Sequence, residues 1–344
     1  MKTAKNIAMK ILVTGGAGYI GSVVAADLLH AGFEVVVYDN LSHGRREAVP
    51  TGAELVVGEL ADADGLDRLM RRHSFAAVMH FAALIEAGES MRYPEQFFRN
   101  NTASSLALLE AVLRHGITNI VFSSTAALYG EPQRIPIEET DPILPTNVYG
   151  ESKAMVERML AWFHRIHGLS YASLRYFNAA GATAERGEEH HPETHLIPLI
   201  LQVALGRRPH VTIFGSDYPT PDGTCVRDYI HILDLSAAHV LVLQRLLESP
   251  GPQRLIYNLG NGHGFSVREV VEAARRVTGH PIPAVESPRR PGDPAVLVAS
   301  SEKARQELGW QPKISDLSEI IRSAWEWHSE GALAASAAER VRAA

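Results

Sequence analysis

Short apolar runs alternate with longer segments whose apolar residues recur three and four positions apart. The runs are Lys10–Thr14, Glu34–Tyr38, Glu54–Val57, Ala77–Phe81, Asn119–Ser123 and Ala172–Phe177. They are rich in Val, Ile and aromatics on consecutive positions, which predicts strands buried on both faces. Between them, Ile20–His30, Ala61–Arg71, Gln96–Arg114 and Tyr149–His167 carry the helical spacing. Regular strand–helix alternation predicts βαβ units in a doubly wound parallel sheet of the α/β class. After Asn178 the texture changes. Loops rich in Gly, Pro, His and Asp separate shorter elements; Ile230–Leu247 reads as a turn entering a helix and Leu255–Leu259 as another strand.

We read a first unit over 9–177, with segments near 231–262 returning to it. A smaller C-terminal α/β lobe follows over 178–328. Residues 1–8 read as an extension. The Ala-rich tail over 329–344 reads as a frayed helix or a disordered end. A sheet of this kind binds its ligand beyond the strand C-termini, here facing the second lobe.

Composition narrows the class. Of 344 residues, 46% are hydrophobic and 21% charged, enough to build a core and too apolar for global disorder. The net charge of −6 argues against a nucleic-acid scaffold or a polybasic membrane binder. A single cysteine, Cys225, excludes an internal disulfide and a four-cysteine zinc site; it reads as a packed small side chain. No apolar run reaches the ~18 residues of a membrane helix. These bounds predict a cytoplasmic protein with no nucleic-acid or membrane partner.

The first strand runs into Gly15-Gly16-Ala17-Gly18-Tyr19-Ile20-Gly21, and a helix follows. Glycines at Gly15, Gly18 and Gly21 allow a tight turn, close backbone approach to a pyrophosphate and close helix–strand packing. The free N–H groups at the helix start then face the anion. Asp39, after the second strand, is placed to accept from both ribose hydroxyls. A carboxylate there repels a 2′-phosphate, so the predicted cofactor is NAD rather than NADP in a Rossmann-like unit.

Tyr149-Gly150-Glu151-Ser152-Lys153 is a Y-x-x-x-K pattern, and on a helix both side chains share a face. Lys153 supplies positive charge near the Tyr149 phenol and a donor for a ribose. Phe122-Ser123-Ser124-Thr125 ends the fifth strand. Thr125 is placed to bond a reacting sugar oxygen and relay its proton, while Ser123 and Ser124 read equally well as capping residues.

With these motifs on the page, the chain resembles the extended short-chain dehydrogenase/reductase superfamily, and more closely the UDP-glucose 4-epimerase group within it. The resemblance runs from about Met9 to Trp327. Beyond the motifs above it rests on Tyr38-Asp39-Asn40-Leu41, His80-Phe81-Ala82-Ala83, Arg175-Tyr176-Phe177-Asn178, Ile213-Phe214-Gly215 and Asp217-Tyr218-Pro219-Thr220. It continues through Asp222 to His231 and Arg289-Arg290-Pro291-Gly292-Asp293.

The resemblance implies interconversion of UDP-glucose and UDP-galactose on tightly held NAD. It implies that Tyr149 takes the C4 hydroxyl proton and that the 4-keto sugar turns over between two redox half-reactions. It places Gly15, Gly18, Tyr19, Ile20, Gly21, Asp39, Asn40, Glu59, Leu60, Phe81, Ala82, Ala83, Asn100, Tyr149, Lys153 and Phe177 around NAD. It places Thr125, Asn178, His195, Leu196, Thr212, Phe214, Arg227, Tyr229, Arg290, Asp293 and Leu297 around the UDP-sugar. Within that set Phe214 stacks on uracil, Arg227 and Arg290 pair with the diphosphate, and Asp293 holds the uridine ribose. A homodimer is implied too, with a seam along Gln96–Arg114 and Tyr149–His167.

Some positions depart from the pattern. Glu59 replaces the Asp of many relatives, Thr125 replaces a Ser, and His195 stands where some members place Asn. Leu297 is smaller than the Tyr that some members set against the sugar's C2 substituent, so we expect tolerance of N-acetylated UDP-hexosamines. Related enzymes remain as alternatives: a UDP-pentose 4-epimerase, a decarboxylase or a 4,6-dehydratase. A dehydratase is expected to carry Asp-Glu after the catalytic Thr, and this chain has Ala126-Ala127. His190-His191-Pro192-Glu193-Thr194-His195 is H-x-E-x-H, not H-E-x-x-H, and Pro192 disfavours a helix there. We therefore expect no catalytic metal.

Overall fold

The computed structural model describes residues 8–190, 192–290 and 292–343, with side chains described as far as 330. Apart from Ala8, the expected N-terminal extension lies outside the described residues. The strands are β1 (Lys10–Thr14), β2 (Glu34–Asp39), β3 (Glu54–Val57), β4 (Phe75–His80), β5 (Asn119–Thr125) and β6 (Ser170–Tyr176). They continue as β7 (Asn178–Ala180), β8 (Val211–Phe214), β9 (Val226–His231), β10 (Arg254–Leu259), β11 (Gly264–Ser266), β12 (Ala284–Ser287) and β13 (Val296–Leu297).

Seven strands form one parallel sheet in the order β10-β6-β5-β4-β1-β2-β3. Alternation along each strand divides the core into two layers. Ile11, Val13, Val35, Val37 and Leu174 face one side and pack on helices Tyr19–His30 and Ile232–Glu248. Leu12, Val36, Tyr38, Val78 and Phe122 face the other and pack on Ala63–Arg72, Ser104–Arg114 and Val148–His167. The doubly wound sheet read from the alternation is thus present. β10 comes from within the second half of the chain and pairs with β6.

The second lobe is built on β9, which pairs with β7, β11 and β13, and on a separate β8–β12 pair. Its own core gathers Ile197, Ile200, Leu201, Val270, Val271, Ile320 and Ile321.

Several expected boundaries move, each for a physical reason. The helix expected from Ala61 begins at Ala63, because the Asp62 side chain accepts from Gly65 N at 2.9 Å and caps it. The strand expected at Ala77–Phe81 ends at His80, because Phe81 N and Ala82 N both donate to Thr14 O and turn the chain. Ile230 and His231 belong to β9 rather than to a turn. The helix expected over Gln96–Arg114 is not continuous. It comprises Pro94–Phe97, a widened π-turn at Phe98–Ala103, and Ser104–Arg114. The backbone of the tail continues the helix Leu317–Ala343.

Candidate active site

The strand order reverses beside β1: the helix after β1, Tyr19–His30, packs on one face of the sheet, and Ser104–Arg114, which follows β4, packs on the other. A crevice opens there, at the strand C-termini. Its floor is the glycine turn. Gly15 sits at φ +72°, where a side chain is strained, and a Cβ on it would meet Ala82 N and Cα. A Cβ on Gly21 would overlap Gly15 O and Gly16 Cα. Gly18 caps the helix Tyr19–His30 without any side-chain hydrogen bond, so the N–H groups of the first turn remain for an anion. Asp39 ends β2; its carboxylate accepts from Ala17 N at 3.0 Å and Leu41 N at 2.9 Å. Those two bonds fix the carboxylate and leave lone pairs facing the crevice. Asn40 Nδ2 donates to Glu59 Oε1 at 2.9 Å, so the departure at Glu59 still yields an ordered carboxylate on this wall. The residues present therefore fit a dinucleotide with a free 2′-hydroxyl.

Replacing Gly21 by Ala follows directly from this geometry. It is expected to cut NAD affinity at least tenfold, because the turn must open to clear Gly15 O. Fluorescence titration of NADH into the purified variant measures it.

The reactive end lies on the helix Val148–His167, started by Asn147, whose side chain accepts from Gly150 N at 2.8 Å. Tyr149 reaches the cleft from its first turn, anchored by Tyr149 N donating to Ser90 Oγ at 3.1 Å. Burial pushes the phenol up to about 12; the Thr125 hydroxyl beside it pulls the other way, and Glu86 adds to the rise. Lys153 lies one turn on, buried. Its Nζ donates to Ser123 O at 2.9 Å and sits 4.9 Å from the Phe122 ring centre. Burial pulls this ammonium down to about 7. Below it, His80 is held between Thr14 Oγ1 at 2.7 Å and Ser105 Oγ at 2.8 Å, and burial keeps it neutral, down at about 3.

A buried network fixes this helix against the sheet. Arg175 pairs with Glu157 through Nη2–Oε2 at 2.6 Å and Nε–Oε1 at 3.0 Å. Ser124 Oγ donates to Glu157 Oε1 at 2.6 Å, and Arg175 Nη1 to Tyr129 OH at 2.8 Å. Tyr129 in turn donates to Asn258 Oδ1 at 2.7 Å, carrying the network to β10.

Opposite stand the second-lobe residues. Arg227, buried on β9, pairs with Asp293 Oδ1 at 2.7 Å. The Arg290 guanidinium lies over the Phe214 ring, 3.9 Å from its centre. His195 caps the helix Leu196–Ala204 from a loop, with Nδ1 turned to Glu188 Oε1 at 2.7 Å. Cys225 is free and packs with Ile213, Tyr218 and Val267.

Almost every residue singled out from the sequence lines this one cleft, from Gly15 and Asp39 through Tyr149 to Arg227, Asp293 and Leu297. Three do not. Lys153 lies under the wall, against Phe122. Thr212 and Phe214 are on β8, with Arg290 between Phe214 and the cleft. Sequence reading missed Asn101, which holds the Phe81–Leu84 loop by bonds to Leu84 N at 2.8 Å and Leu84 O at 2.9 Å. It also missed Glu86, Thr146 and Asn147 on the cleft wall; the Asn147 cap was legible as an Asn before a helix.

The model of the NAD dependent epimerase/dehydratase family matches residues 11–260. The chain belongs to that family. The epimerase/dehydratase match runs through the seven-stranded sheet from Ile11 in β1 to the end of β10. Among curated members, a UDP-glucose 4-epimerase from Streptomyces lividans is 56% identical over 93% of this chain and 96% of its own length. The fold matches a solved UDP-glucose 4-epimerase from Bifidobacterium longum in complex with NAD+ and UDP, at TM-score 0.90 and 36% identity. That match covers 94% of this chain and 98% of that one. It also matches a UDP-Glc/GlcNAc 4-epimerase from Campylobacter jejuni at TM-score 0.81 and 41% identity, covering 94% of this chain and all of that one.

Proposed function

We infer that the chain interconverts UDP-glucose and UDP-galactose by transient oxidation at C4, with NAD held in the cleft throughout. One observation carries this reading: a single cleft brings Tyr149 and Thr125 between the glycine turn and the Arg227–Asp293 pair. The glycine turn, the helix start at Tyr19 and Asp39 would hold NAD. When bound, NAD supplies a reversible two-electron oxidant for C4, so the reaction is redox-neutral overall.

The chain's own residues do the rest. Tyr149 accepts the C4 hydroxyl proton and returns it to the same oxygen once the sugar has turned its other face to the cofactor. Thr125 orients the phenol and the reacting oxygen. Lys153 supplies the positive charge that brings the phenol into a working range. Arg227 and Arg290 hold the diphosphate, and a fork-shaped guanidinium suits that anion. Asn178, Leu196, Thr212, Tyr229 and Asp293 complete the nucleotide-sugar wall. For uracil to stack on Phe214, Arg290 must leave the ring face it now covers.

Leu297 lies on the cleft wall, 8% exposed; because Leu is smaller than the Tyr that some members set against the sugar's C2 substituent, partial turnover of UDP-GlcNAc is expected as well. The test is incubation of purified protein with UDP-galactose and, separately, UDP-GlcNAc, without added NAD. The expected products are UDP-glucose and UDP-GalNAc, with no net NADH. A 4-keto-6-deoxy sugar would identify a dehydratase, and no product would remove the catalytic reading.

Two further parts belong to this proposal. The chain works in the cytoplasm, a reading supported by its single, free, buried thiol. It also forms a homodimer. Leu106 on the helix Ser104–Arg114, and Met155, Trp162 and Ile166 on Val148–His167, are exposed apolar side chains on the two helices of the expected seam. Light scattering is expected to give twice the chain mass, and Trp162→Glu the monomer mass.

A further inference from the structure

The loop between β7 and the helix Leu196–Ala204 carries four side chains that converge. Glu188 and His190 come from one limb, Glu193 and His195 from the other. One donor atom of each lies within 4.8 Å of all the others. His195 Nδ1 is 2.7 Å from Glu188 Oε1 and 3.1 Å from Glu193 Oε1. His190 Nδ1 is 3.3 Å from Glu188 Oε1 and 4.0 Å from Glu193 Oε2. Neither contact gives it hydrogen-bond geometry, and this buried nitrogen has no partner among the described residues.

The charge balance is the second observation. The side chains of Glu188 and Glu193 are 7% and 4% exposed. Two carboxylates brought so deep together cost several kcal/mol unless cations offset them. Among the described residues, neither pairs with a lysine or arginine; the only basic partners are the two imidazoles. Arg45, nearby, is taken by Glu189. Glu193 is held in place by Thr194 N and His195 N, each donating to its Oε1 at 2.8 Å.

We propose that Glu188, His190, Glu193 and His195 bind one zinc ion, which ties the two limbs of this loop together. Two imidazole nitrogens and two carboxylate oxygens form the mixed donor set that zinc takes in four-coordinate sites, whereas magnesium and calcium take oxygen alone. Ligand bonds of about 2.1 Å place tetrahedral donors roughly 3.4 Å apart, so the 2.7 and 3.1 Å pairs on His195 open and the 4.0 Å pair closes, each by a small adjustment. The H-x-E-x-H order of the sequence starts at His191, whereas the converging side chains are His190, Glu193 and His195. A loop that folds back needs no helical spacing, and Glu188 supplies the fourth ligand. The ion's role is structural. Glu188, His190 and His195 form part of the cleft wall, close to the start of the Tyr19–His30 helix. A zinc bond on His195 Nδ1 leaves its Nε2 edge for the cleft.

The test uses the full chain as purified. Elemental analysis after extensive dialysis is expected to give about one zinc per chain. Dipicolinate treatment should lower the melting temperature by about 5 °C or more, and added Zn2+ should restore it. Co2+ in place of zinc should give the intense visible bands of a tetrahedral site. The double variant His190→Gln/Glu193→Gln should lose the metal and the Zn2+ response together. Should that variant not fold, removal and return of zinc in the wild-type chain still decides. Metal-free protein whose melting temperature ignores added Zn2+ would overturn the proposal. So would full zinc occupancy in the double variant.

Discussion

Tyr149→Phe should lower kcat for UDP-galactose about a thousandfold and leave NAD binding within a factor of two, the usual range for loss of a proton-transfer group. The side chain keeps its ring and its place in the wall; only the oxygen goes. Tyr149 N still donates to Ser90 Oγ, so the helix start is untouched. The pH dependence carries extra information. In the chain alone, burial holds the phenol up at about 12. Activity at neutral pH therefore needs cationic help, and the proposal assigns it to Lys153, one helical turn on. Rapid-quench kinetics of the variant, with cofactor content measured in parallel, distinguishes lost chemistry from lost NAD. Turnover within tenfold of wild type would remove Tyr149 from the proton path.

Lys153→Met is expected to act in opposite directions on activity and stability. Turnover should drop by two to three orders of magnitude, since Tyr149 loses its adjacent positive charge. The NAD-free protein should become more stable. Burial lowers the Lys153 ammonium from 10.5 to about 7. Between those values the unfolded chain holds a proton that the folded chain lacks, so this lysine's contribution to stability rises as pH rises through that window. Near and below pH 7 its full burial cost is present. Methionine fills similar volume without it, at the expense of the bond to Ser123 O. Thermal melts of both proteins, stripped of cofactor, from pH 6 to 10 should show a gap that is widest at low pH and narrows upward. A variant that melts lower at every pH would contradict this account.

The central sheet was legible because burial on both faces leaves a continuous apolar signature, and the glycine turn because only glycine fits where backbone meets backbone. What escaped depends on distant partners. Gln96–Arg114 reads as one helix, since a π-turn scarcely alters the apolar spacing. The turn is accompanied by Asn101 reaching Leu84 and, 3.1 Å away, Ser152 Oγ. No local pattern announces that partner. The Glu188–His195 cluster escaped for a related reason: its geometry is made by a loop folding back, and spacing rules describe helices and strands. Arg290 over Phe214 is a third case, in which two residues both read as ligand contacts instead meet each other.

β10 pairs with β6 only after the whole run from β7 to the helix Ile232–Glu248 has been traversed. During synthesis, β6 therefore leaves the ribosome long before its neighbour exists. Its open edge, and the sheet face later covered by Ile232–Glu248, stay exposed while the intervening chain is translated. The network around the Arg175–Glu157 ion pair also stays open, because Asn258, which takes the Tyr129 hydroxyl, arrives with β10. Vectorial synthesis thus postpones closure of the cofactor sheet until the first part of the substrate half has been made, and a chain cut before β10 keeps the β6 edge open.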